Sequence, residues 1–153
     1  MRELLYSLLK APLWSSVFAW LLCQLIKGIR DCISEKKWSF CSFLKSGGMP
    51  SSHTASVVAL SSFIANTQGF ASPLFSICVV FSVIVMYDAV GVRQETGKQS
   101  KIINEITRLS FAQQKNEHEN KLSETVGHSL REVVAGALIG AVVGILATAI
   151  VYS

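Results

Sequence analysis

The chain has 153 residues, half of them apolar and only 16% charged, with a mean hydropathy of +0.43. That length holds one domain, and a soluble domain of this size would carry more charge, so the composition points to an all-α membrane protein. The net charge of +4 says little until the charges are located.

Residues 11–26 (APLWSSVFAWLLCQLI) carry no charge and sit between Lys10 and Lys27. They read as a slightly short first span, or as a helix lying in the membrane interface. No A-x-A cleavage site follows, so a secretory leader is not expected. Residues 27–46 are polar and lysine-rich. Residues 54–66 (TASVVALSSFIAN) are apolar with many small side chains, which suits a second, marginal span at the centre of a bundle. Pro73 marks a turn, and 74–87 (LFSICVVFSVIVMY) form a third span ending at Asp88. Isoleucines and leucine at 102, 103, 106 and 109 predict an amphipathic helix near 99–112. Residues 113–121 are very polar and read as a loop, with His118 a solvated member of it. Residues 133–152 make a fourth span of 20 residues, with Gly136, Gly140 and Gly144 along one face.

The expected architecture is a small polytopic membrane helix bundle: about four transmembrane helices plus a cytoplasmic amphipathic helix. Loops 27–53 and 91–132 hold 12 of the 14 lysines and arginines. Basic loops stay in the cytoplasm, so both chain ends fall outside and the two loops inside. A flat first run would move the N-terminus to the cytoplasm and leave the loops where they are. Basic residues placed this way give no reason to expect a nucleic-acid partner. Cys23, Cys32, Cys41 and Cys78 show no metal spacing and are expected as free thiols. A homodimer through the glycine face of 133–152 or through the first run is possible.

Three stretches carry candidate chemistry. In Gly47-Gly48-Met49-Pro50-Ser51-Ser52-His53, the glycines let the backbone approach a ligand. The two serines supply hydroxyls and N–H groups, and the helix that follows points its positive end at whatever binds. An ordinary helix cap is the plainer alternative. In Gly127-His128-Ser129-Leu130-Arg131-Glu132, the acid lies one turn after the histidine. It can hold one ring nitrogen and leave the other free, or be a common surface pair. In Tyr87-Asp88-Ala89-Val90-Gly91-Val92-Arg93, with Lys98 beyond, Arg93 and Lys98 are candidate phosphate ligands. Asp88 can pair with either of them or hold a divalent ion. No H-x-x-x-H pair is present, so no metal or other cofactor is assigned.

With these residues in view the chain resembles the divergent type 2 phosphatidic acid phosphatase family, across roughly 45–136. GGMPSSHTA, YDAVGVRQETGKQ and GHSLREVVAG carry the likeness. The resemblance implies an integral membrane phosphatase of the bacterial cytoplasmic membrane, acting on a phosphorylated lipid at the cytoplasmic leaflet. Pro50-Ser51-Ser52-His53 is similar to the superfamily's Pro-Ser-Gly-His, which makes His53 the general acid. His128 with Glu132 is similar to its His-x-x-x-Asp, which makes His128 the nucleophile and Glu132 its orienter. Gly47, Gly48 and Ser52 would cradle the phosphate with Arg93 and Lys98. The superfamily's Ser-Arg pair before the nucleophile is absent, since Leu122 stands there, and Arg93 is the substitute. Its first lysine motif is also absent; Lys37 or Lys45 would fill that role. Two other readings stay open: a non-catalytic protein that binds a phosphorylated lipid or partner, and a transferase in which an alcohol replaces water.

Overall fold

The computed structural model describes residues 12–35, 48–110, 122 and 127–152. Among the described residues every regular element is a helix: α1 (Leu13–Glu35), α2 (Ser52–Gln68), α3 (Pro73–Val90), α4 (Val92–Ser110) and α5 (Leu130–Tyr152). The all-helical expectation holds. Among the described residues two stretches are long and apolar enough to cross a membrane, Pro73–Leu109, which joins α3 to α4, and Leu130–Tyr152. α2 is shorter, at 17 residues, and α1 runs on past the apolar stretch through Lys27, Arg30 and Asp31 to Glu35. Both still belong to the bundle.

α2 is the central helix, packing on α5, α1 and α3, as its small residues predict. Gly136, Gly140 and Gly144 of α5 lie against the backbone carbonyls of Ser51, Ala55 and Ala59, where any Cβ would overlap the oxygen. Such contact lets Cα–H groups approach carbonyls and gains dispersion along the whole crossing. The glycine face of α5 is therefore used inside one chain, against α2.

Polar side chains join the remaining helices. Ser16 of α1 donates to the Ser56 carbonyl at 2.6 Å and Ser56 donates back to the Ser16 carbonyl at 2.9 Å. Ser61 and Ser82 link α2 to α3 at 2.9 Å. Local signals set the ends. Ser51 caps α2 by accepting from the Thr54 N–H, and Gly69, at a φ of +82°, ends it with its N–H on the Ala65 carbonyl. Ser72 then caps α3, whose first residue is Pro73. The amphipathic helix begins earlier than predicted, at Val92. Cys23, Cys32 and Cys78 are free thiols. Lys37, Cys41, Lys45, Gly47 and His118 lie outside the described residues, as does the 113–121 loop.

Candidate active site

The N-termini of α2 and α5 meet at one end of the bundle, where the Ser51 N–H donates to the Glu132 carbonyl at 3.0 Å. This junction places the two histidine stretches side by side. His128 is 3% exposed, and its Nδ1 lies 2.9 Å from Glu132 Oε2. A carboxylate only accepts, so Nδ1 carries a proton, and in the neutral ring the lone pair sits on Nε2. The same Oε2 accepts from the Ser129 N–H at 3.3 Å. Ser129-Leu130-Arg131-Glu132 is thus one half of a capping box. The acid that caps the start of α5 also fixes the histidine. The His128 N–H donates to the Ala89 carbonyl at 3.1 Å, which ties the loop to the end of α3. Gly127 rests on the backbone of Arg93 and Gln94, with no room for a Cβ.

Ser51 and Ser52 divide their roles. Ser51 Oγ accepts from both Thr54 N–H and Thr54 Oγ1–H, so it serves the helix cap. Ser52 is buried, and its Oγ accepts from Lys27 Nζ at 3.2 Å. Gly48, at a φ of +94°, lies over this lysine and Arg30, with a guanidinium nitrogen of Arg30 3.6 Å from where a Cβ would sit. The Met49–Pro50 peptide that follows is cis.

Lys27 is the residue that sequence reading missed. It is 2% exposed and has no carboxylate within ion-pair distance among the described residues, although Glu132 and Asp31 act on it electrostatically. Three ammonium protons meet one hydroxyl. A buried cation so poorly supplied favours an arriving anion. One turn deeper, the Oε1 of buried Gln24 has no hydrogen-bond partner among the described residues. A signal for Lys27 was present in the sequence: Ser15, Ala19, Cys23 and Lys27 follow at i, i+4, and all four are buried.

The two cations expected to hold phosphate are engaged elsewhere. Arg93 Nε bonds Asp88 at 2.6 Å, which leaves the two terminal amino groups of the fork for another anion. Lys98 pairs with Glu95 at 2.7 Å on the exposed side of α4, and nothing brings it to the histidines. Asp88 takes the partner role foreseen for it. Among the described residues no three His, Cys, Asp or Glu side chains converge as a metal site would need.

His53 stands in the first turn of α2, ahead of the apolar stretch. Partial burial pushes its pKa down, and Arg93, His128 and Lys27 add repulsion in that order. Those interactions place His53 within electrostatic reach of all three cationic or ionisable neighbours. The structure thus groups His53, His128, Glu132, Ser52, Gly48 and Arg93 with the newly found Lys27, and leaves Lys98 outside. An apolar cleft of about 430 Å³, lined by Trp14, Phe18, Phe63 and Ile150 among others, lies towards the opposite end of α1, α2 and α5.

The chain is 38% identical over 140 residues to the uncharacterized membrane protein YuiD of Bacillus subtilis (strain 168), which covers 84% of this chain and 88% of that one. No solved structure matches. The profile of the divergent PAP2 family matches residues 8–143, nearly the whole span that carries the histidine stretches and the bundle, and the chain belongs to that family.

Proposed function

We propose that this protein is an integral membrane phosphatase that hydrolyses a lipid phosphate through a phosphohistidine at His128. The observation that carries the reading is the His128–Glu132 pair, 2.9 Å apart, set beside a buried lysine with no carboxylate at ion-pair distance among the described residues. The carboxylate directs the Nε2 lone pair outward as a nucleophile and stabilises the positive ring that forms on attack.

The phosphoryl group is held by Lys27 and Ser52, with Arg30 and the free end of Arg93 as further donors. His128 Nε2 attacks phosphorus, the P–N bond forms, and the P–O bond to the lipid breaks. His53 gives its proton to the departing oxygen. In the empty site His53 is biased towards the neutral form, and a bound phosphate dianion reverses that bias by favouring the imidazolium. Water then attacks the phosphohistidine, His53 takes its proton, and inorganic phosphate leaves. Positioning and charge stabilisation supply most of the acceleration. The candidate substrates are phosphatidic acid, phosphatidylglycerol phosphate and polyprenyl phosphate or diphosphate, taken from the cytoplasmic leaflet of a bacterial membrane.

The test is phosphate release from that panel by detergent-purified protein in EDTA, with wild type beside His128→Ala. Release by wild type alone supports the reading and names the substrate class. Equal release by both, or none by either, overturns the phosphohistidine route and leaves binding of a phosphorylated lipid. Added lipid alcohol distinguishes hydrolysis from transfer by the product formed.

A further inference from the structure

α4 has three different faces, and the site uses only one of them. With about 100° between successive residues of an α-helix, Gly97, Ser100 and Asn104 share a face. Gly97 and Ser100 are buried, and the Asn104 amide makes both hydrogen bonds to the Leu122 backbone, at 2.9 and 3.0 Å. Lys98, Lys101, Glu105 and Arg108 form a second face, with Lys98–Glu95 and Arg108–Glu105 pairs both at 2.7 Å. Val92, Ile102, Ile103, Ile106 and Leu109 form a third, within an arc of about 120° that Glu95 and Gln99 interrupt between Val92 and Ile102. All five are exposed, at 48–66%. Five large apolar side chains in water on one helix is an expensive arrangement.

What covers them follows from where α4 starts. α3 is 18 residues long, about 27 Å at 1.5 Å per residue, close to the thickness of a hydrocarbon core. Its outward row of Ile77, Phe81, Ile84 and Tyr87 is exposed for lipid. Only Gly91 separates its last residue from Val92, so α4 begins at the membrane boundary.

We propose that α4 is an interfacial helix, with its Val92–Leu109 row seated at the headgroup–acyl boundary of the leaflet beside the histidines and its charged face in water. The proposal stands apart from the phosphatase reading. Its consequence for the site is mechanical. The Gly127–His128 loop rests on the first turn of α4 and on Ala89, so the seated helix is the platform under His128.

The test uses the full-length chain with its native cysteines replaced, reconstituted in phosphatidylcholine–phosphatidylglycerol vesicles. Nitroxide labels go on Ile103→Cys, Ile106→Cys and, facing the other way, Lys101→Cys. Power saturation should show collisions with oxygen exceeding those with a water-soluble nickel chelate at 103 and 106, and the reverse at 101. Nickel dominating at all three positions places the row in water and overturns the proposal. Low collision with both reagents at 103 and 106, with dipolar broadening between labels, means a second copy covers the row and overturns it equally. Circular dichroism of each labelled chain, matching wild type, keeps misfolding from imitating either result.

Discussion

One oxygen of Glu132 accepts from His128 Nδ1 and from the Ser129 N–H, so its charge and its capping role can be separated. Glu132→Gln keeps an acceptor for both N–H groups and loses the negative charge. We expect phosphate release to fall by about 10²-fold or more, as for other groups that support proton transfer, while the melting temperature changes little. Glu132→Ala removes the cap as well and costs a further ~1 kcal/mol of stability; equal melting of the two variants would contradict the capping role. Lys27 makes the opposite argument. Lys27→Met fills the same volume without a buried charge, so stability should hold or rise. Phosphate or vanadate affinity should drop by about 10–100-fold, the worth of a ~1.5–3 kcal/mol charged hydrogen bond. Titration calorimetry beside thermal melting reads both, and undiminished affinity would remove Lys27 from the site. For His53, burial and then Arg93, His128 and Lys27 lower the pKa. Its imidazole should therefore titrate below the ordinary histidine value of 6.5 by NMR in the empty protein, becoming charged only as pH falls through that lower midpoint. Bound vanadate should raise the midpoint.

At the scale of elements, the α2–α5 crossing is the least forgiving contact. Gly140 abuts the Ala55 carbonyl at the middle of the row, with Gly136 and Gly144 on either side. Gly140→Leu has no flexible neighbour to displace, since the obstacle is backbone. It should cost at least ~1–3 kcal/mol and spread the helices that carry His53 and His128. A melt in detergent showing no loss would contradict the crossing. α3 and α5 were legible from composition alone, because long uncharged runs leave few alternatives. α2 was placed at the centre correctly from its small residues. α1 was read as stopping near Lys27 because a lysine after an apolar run looks like a snorkelling anchor. The helix instead continues to Glu35, and that continuation turns Lys27 inward on the Ser15–Ala19–Cys23 stripe. The histidines and Glu132 were visible from spacing. The pairing of Lys98 with Glu95 rather than with a ligand was not, since three residues apart on a helix is a local preference that competes with any site.

At the scale of the whole molecule, the basic loops predict that the histidine end faces the cytoplasm. The Gly69–Ser72 turn and the histidine cluster lie at opposite ends of α2. In a cysteine-free background, Gln68→Cys in intact cells should react with an impermeant maleimide and Lys101→Cys, on the charged face of α4, only after lysis. The reverse pattern would put the cluster outside and exclude a cytoplasmic-leaflet substrate. The central claim concerns His128, and trapping the intermediate tests it most directly. Purified protein is mixed briefly with the most active lipid phosphate, quenched in alkali, where phosphohistidine survives, and mapped by mass spectrometry. Wild type should carry a phosphate on His128 that is absent from His128→Ala. Phosphohistidine should accumulate if His53→Ala slows hydrolysis more than attack. Turnover with no phosphate on His128 at any quench time, or phosphate on another residue, would contradict that claim.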